Sequence, residues 1–219
     1  MALAPKSTPT GSAQATRTQR PQVLALPIRA SEAALVTALR SGHGDARRML
    51  FDGYGGDVER VLYRILGPDP EITDLLQDVF VVALGSIDKL REPEALRGWL
   101  TGIAVNKARK CILRRRRWRF IQFLSPADLP EREALVPPAE VSEALRRTYA
   151  VLERLPADER VAFALRHIDG MELTAVAEAC EVSLATIKRR LARAQRTFAA
   201  LAAEDSLLSE WLLPKEEVP

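Results

Sequence analysis

The chain has 219 residues, 47% of them apolar, with two cysteines, two histidines and a formal net charge of +3, which suits a packed core in one large or two small domains. Cys111 and Cys180 lack CxxC spacing and stand far from His43 and His167, which argues against a zinc site or a disulfide framework and for reduced thiols in a cytoplasmic protein. No apolar run approaches the ~20 residues needed to cross a bilayer, and the short Val23-Leu24-Ala25-Leu26 stretch does not support a secretory signal.

Residues 1–30 are rich in Ala, Pro, Ser and Thr, carry four cations and no acid, and predict a disordered tail. Four helices are then expected over 31–40, 45–66, 71–85 and 94 to about 119, the second loosened by Gly53, Gly55 and Gly56. Gly42, Gly67-Pro68 and Arg91-Glu92-Pro93 supply the breaks. Pro126, Pro130, Pro137 and Pro138 among acidic residues mark a linker over 123–140, because so many imino positions cannot sit in one helix. Beyond it, 141–155, 158–168 and a final pair of helices form a second domain to residue 203, followed by an acidic tail over 204–219 with a Leu207-Leu208, Trp211-Leu212-Leu213 cluster. No run of alternating strand residues interrupts this series, so the fold class is all-α.

The final pair reads as a helix-turn-helix. Leu173, Val176, Ala177 and Cys180 share one face, Glu181-Val182-Ser183 breaks the pattern, and Ser183 is placed to cap a second helix whose buried stripe is Ile187, Leu191, Ala194 and Phe198. That second helix holds five cations and no acid between residues 184 and 198; a second run, 101–122, holds eight cations and no acid, leaving −10 for the rest of the chain. Positive charge concentrated in two places on an otherwise acidic chain suits two contacts to a polyanion.

These motifs together resemble the extracytoplasmic-function (ECF) group of bacterial sigma factors. Asp74-Leu-Leu-Gln77-Asp78-Val-Phe80 is similar to that group's acidic D-L-x-Q-E-x-F segment, and Trp99-Leu-Thr-Gly-Ile103-Ala104-Val-Asn106-Lys-Ala108-Arg to its W-L-x-x-I-A-x-N-x-A segment. Leu155-Pro156, Arg160, Phe163, Leu165, Gly170, Ala177 and Thr186 through Ala194 are similar to its second conserved pattern. The chain departs from the group at Arg47, at Ala175 where a Glu is common, and at Arg189 where a Ser is common.

The resemblance implies a region 2-like four-helix domain over 31–122 and a region 4-like helix-turn-helix domain over 141–203, joined by the flexible proline-rich linker. It implies a non-catalytic protein without metal or cofactor, whose partners are core RNA polymerase and promoter DNA, duplex and single-stranded, with room for an anti-sigma factor and no role for a membrane. Asp74, Gln77, Asp78 and Phe80 are then expected to bind the clamp helices of the polymerase's largest subunit. Asn106, Arg109, Lys110, Arg114 and Arg117 are expected at the opened minus-ten element, beside a base pocket in the loop from Ser86 to Arg97. The run Arg114 to Arg117 reads as sequence-blind phosphate contacts. Ser183, Ala185, Thr186 and Arg189 are expected nearest the bases of the minus-thirty-five element, with Lys188, Arg190 and Arg193 on phosphates and Arg189 as the base reader. The alternative is a polymerase-independent helix-turn-helix regulator, which has no use for the acidic stripe or a second basic domain and usually needs a dimerisation surface. A recombinase-like enzyme is disfavoured, since Asp74 and Asp78 have no third acid or His at useful spacing.

Overall fold

A computed structural model describes residues 31–124 and 143–212; the N-terminal tail, most of the expected linker and residues 213–219 lie outside the described residues. All regular elements among the described residues are helical. Helix α1 spans Glu32–Arg40, α2 Gly44–Leu66, α3 Ile72–Ser86 and α4 Leu96–Leu124, with short 3-10 turns at Ile87–Lys89 and Pro93–Ala95. In the second half α5 spans Glu143–Arg154, α6 Ala157–Phe163 with a π turn at Ala164–Ile168, α7 Leu173–Ala179, α8 Leu184–Ala203 and α9 Ser206–Leu212.

Several boundaries have local causes. Ser31 Oγ accepts a hydrogen bond from Ala34 N at 3.3 Å and starts α1, as Ser183 Oγ does from Thr186 N at 3.3 Å for α8. The expected loosening of α2 is absent: the helix runs unbroken through Gly53, Gly55 and Gly56. Gly55 is buried, and a Cβ there would lie 3.7 Å from the Phe51 ring, an ordinary contact. Helix α4 continues to Leu124, two residues into the stretch read as linker. The acidic tail also acquires structure. Asp205 Oδ1 accepts from Leu207 N at 3.0 Å and Leu208 N at 3.1 Å, which starts α9 and carries Leu208 into contact with Val151 and Ala202.

The two halves share a core. One apolar cluster runs from Val36, Leu50 and Leu62 through Leu100 and Ala104 to Val161, Leu165, Val176 and Ile187. Helix α4 meets α7 at Gly102, which is buried, and a Cβ on it would stand 3.8 Å from the carbonyl oxygen of Ala179, an ordinary contact.

Polar groups fix the same seam at the end of α2. The Arg160 side chain, 3% exposed, donates from Nε to Ile65 O and from an η nitrogen to Leu66 O, each at 2.9 Å. These carbonyls belong to the last turn of a helix and have no onward helical partner, so a guanidinium there meets both their hydrogen-bonding need and the negative end of the helix dipole. Tyr149 approaches the same turn, its hydroxyl lying 3.2 Å from Tyr63 O and 3.1 Å from Arg64 O. The chain leaves α2 at Gly67 with φ +82°, and an added Cβ would stand 2.7 Å from the Tyr149 ring. Both the left-handed backbone and the lack of space require glycine there.

Candidate nucleic-acid interface

The acidic stripe of α3 has two sides. Ile72, Leu75, Val79 and Ala83 are buried, which turns Asp74, Gln77 and Asp78 outward as the periodicity predicts. Asp78 accepts from Lys107 Nζ at 2.9 Å. Phe80 requires a correction: it is 6% exposed and packs against Phe51 with ring centroids 5.0 Å apart, so it lies behind the outward face rather than on it. Val81 and Val82 take that outer position instead, 69% and 39% exposed, one helical turn beyond Gln77 and Asp78. Sequence reasoning missed them, although a second apolar pair on a helix whose buried face was already complete was a readable signal.

On α4, Asn106, Lys110, Leu113, Arg114 and Arg117 recur at three and four residues and form one exposed stripe. The arginine run is not uniform, and its reading as four phosphate contacts must be corrected. Arg115 is folded inward, its side chain 13% exposed, with an η nitrogen 2.8 Å from Asp69 Oδ1 and 3.1 Å from Glu71 Oε1. Burial opposes its charge, but the bonds to Asp69 and Glu71 outweigh that penalty and hold its pKa above the ordinary arginine value. Arg114 also pairs with Glu71, although its side chain stays exposed. Arg116 and Arg117 are exposed. Trp99 packs against the core, while Phe120 is 62% exposed.

The helix-turn-helix forms as read. Its turn passes through Glu181 with φ 54°, a left-handed conformation that is uncommon outside glycine, and Val182 N donates to Ala177 O at 3.0 Å. Ser183, Ala185, Lys188, Arg189 and Arg193 are exposed along one side of α8, with Thr186 half-buried. Ser183 Oγ lies 2.9 Å from Thr186 Oγ1, which accepts in turn from an η nitrogen of Arg189 at 3.4 Å. A short polar chain thus supports the arginine at the helix's N-terminal end.

Arg190 departs from the outward position expected of it. It donates to Asp158 Oδ2 at 2.9 Å, and the other oxygen of the same carboxylate accepts from Arg109 Nε of α4. The Asp158 bond raises the Arg109 pKa despite partial burial. These three residues line a cleft of about 230 Å³ with Asn106, Cys180 and Val182, and burial pushes the Cys180 thiol up to about 11. A second cleft, of about 600 Å³, lies between the segment carrying Lys89 and Arg91 with the start of α4 at Arg97 on one side and helix α7 on the other, with Trp99, Met171 and Ala175 in its walls. The expected base pocket is therefore faced by the first helix of the helix-turn-helix. Among the described residues no group of three His, Cys, Asp or Glu could hold a metal ion, and no helix is long and apolar enough to cross a membrane.

Comparison with known proteins follows the same division. Residues 50–119 match the family model of Sigma-70 region 2, and residues 145–197 that of Sigma-70 region 4. The chain is 27% identical over 179 residues to the ECF RNA polymerase sigma-E factor of Haemophilus influenzae, covering 75% of this chain and 92% of the relative. Its identity to the sigma-E factor of Escherichia coli K12 is 26% over 174 residues, covering 75% and 91%. Among solved structures, CnrH in complex with the cytosolic domain of CnrY has the same fold, with TM-score 0.56 and 24% identity over 80% of this chain and 99% of that one. RpoE of Bartonella quintana, in complex with the anti-sigma factor NepR, gives TM-score 0.54 and 24% identity over 74% and 99%.

Proposed function

The chain belongs to the sigma-70 family, in its ECF group, and from that premise we propose how its surfaces divide the work of initiation. It is a sigma factor, a non-catalytic subunit that joins core RNA polymerase in the cytoplasm and directs it to promoters. Two domains share the task, 31–122 and 141–203. Asp74, Gln77 and Asp78, with Val81 and Val82 beside them, dock on the clamp helices of the largest polymerase subunit: the charges orient the encounter and the valines add apolar contact. Asn106, Lys110, Arg114 and Arg117 follow the non-template strand of the minus-ten element, with Arg109 joining them when it is released from Asp158. Cations there grip the backbone while Asn106 supplies a polar group for a base edge. Helix α8 enters the major groove at the minus-thirty-five element, with Arg189 reading bases and Lys188, Arg193 and Arg190 on phosphates.

The observation that carries this reading is the presence of two exposed cationic helix faces, on α4 and α8, on a molecule that keeps a separate acidic and apolar ridge on α3. The ridge distinguishes it from a polymerase-independent regulator. Added to core polymerase and a matching promoter, the protein is expected to produce specific run-off transcripts. Replacing Asp74 and Asp78 together by Ala should weaken polymerase binding by about three- to tenfold, as loss of orienting rim charges does. Unchanged affinity would place the docking face elsewhere on the molecule. A complex of the kind that the Bartonella RpoE forms with the anti-sigma factor NepR belongs to the same proposal.

A further inference from the structure

The helices read as DNA contacts do not stand free of one another. Asp158 lies in the first turn of α6 and offers one carboxylate oxygen to Arg109 of α4 and the other to Arg190 of α8. Two arginines that share one carboxylate are brought within roughly a nanometre of each other. On a promoter they would serve elements about 25 base pairs apart, on the order of 80 Å at 3.4 Å per pair. The arrangement seen here and the DNA-engaged one therefore exclude each other, and the pairs at Asp158 must break between them.

We propose that Asp158 is an internal stand-in for DNA phosphate, a latch that occupies one guanidinium from each DNA-binding helix and biases the free protein toward the closed form. This rests on the assignment of Arg109 and Arg190 to promoter contact. The chemistry is matched: a carboxylate and a phosphate both present anionic oxygens to guanidinium donors, so the exchange replaces one set of charge-assisted bonds by another. Asp158 is only partly buried, and the cleft around it opens on Asn106, so a polyanion can compete for the arginines without first unfolding the core. The seam also contains contacts that phosphate does not mimic, those of Arg160 and Tyr149 with the end of α2. Asp158 is the part of the closure that joins a cation of each promoter-facing helix, whereas another cationic contact across the halves, Arg119 to Glu153 at 3.4 Å, engages α4 alone.

The test uses the full-length protein and its Asp158→Asn and Asp158→Ala variants, the first preserving shape in case the second disturbs α6. Two quantities are read without polymerase: the radius of gyration by small-angle scattering, and the affinity for a duplex promoter fragment by fluorescence anisotropy. Loss of two half-exposed ion pairs should raise the open population, and tighten DNA binding, by about three- to tenfold, with a larger radius. An Asp158→Glu variant should restore closure in part. Unchanged radius and unchanged DNA affinity in both variants would overturn the latch. A larger radius with no gain in DNA affinity would leave the latch standing and defeat the assignment of Arg109 and Arg190 to DNA.

Discussion

Replacing Arg160 by Ala tests whether the seam between the halves depends on a single buried guanidinium. The side chain is 3% exposed, and its two bonds to Ile65 O and Leu66 O are each 2.9 Å long. Burial lowers its pKa from the ordinary arginine value, the sign of a cation that has given up solvation for protein acceptors. Truncation removes both donors and leaves the last two carbonyls of α2, which belong to the buried residues Ile65 and Leu66, without those partners. Each acceptor left without a partner costs about 1–3 kcal/mol, and the stem's lost packing adds to that, so the total should be about 3–5 kcal/mol. For an ordered body of this size the melting temperature should fall by about 6–20 °C. Urea unfolding followed by far-UV circular dichroism provides the free energy, and Arg160→Lys provides the contrast. A lysine keeps the charge but loses the planar fork that serves two carbonyls at once, and should lie between wild type and Ala. A loss below about 1 kcal/mol for Arg160→Ala would refute the reasoning, since it would mean that water or a relaxed backbone satisfies those carbonyls at little cost.

Tyr149 links the same seam to pH. Burial, and then charge repulsion from the neighbouring Tyr63 side chain, push its pKa up from the ordinary 10.0 to about 12. A folded-state pKa above the unfolded one means that its contribution is complete below about pH 10 and is lost as pH rises toward the folded value. Urea midpoints measured across that window should fall, and Tyr149→Phe should flatten part of the fall; Tyr54, whose hydroxyl donates to Glu32 Oε1 at 2.7 Å and whose pKa is also raised to about 12, accounts for another part. The arginine run makes a separate prediction about salt. Arg116→Ala and Arg117→Ala should each reduce the slope of log affinity against log salt by about 0.7 to 0.9, whereas Arg115→Ala should destabilise the fold through Asp69 and Glu71 while leaving the slope of the protein that remains folded nearly unchanged. Equal slopes for all three variants would contradict the inward placement of Arg115.

The helix-turn-helix, the α3 face and the exposed stripe of α4 are legible in the chain because they depend on neighbours three or four residues away. Apolar spacing sets which side of α3 or α8 is buried, and the hydroxyl of Ser183 needs only the amide of Thr186 to start a helix. The positions of proline and glycine suffice likewise for most boundaries, though Gly53, Gly55 and Gly56 misled because packing of the α2 core outweighs their weak helix preference.

Charge partners are another matter. Arg109 and Asp158 are 49 residues apart in sequence, Arg115 and Asp69 46, Arg160 and Ile65 95, and nothing local distinguishes these arginines from Arg116 or Arg189. An arginine's role depends on what the fold brings within hydrogen-bonding range of its guanidinium, which is a property of helix packing rather than periodicity. For Phe80 the spacing already places the ring on the buried face of α3, and packing adds only that Phe51 of α2 is its neighbour. Local spacing along the chain thus specifies a set of amphipathic helices and the sign of charge each carries. Which cations face solvent, which are tied down, and that the two halves close on one another were decided only when those helices packed, because desolvation and ion pairing act through space between residues that the chain keeps far apart.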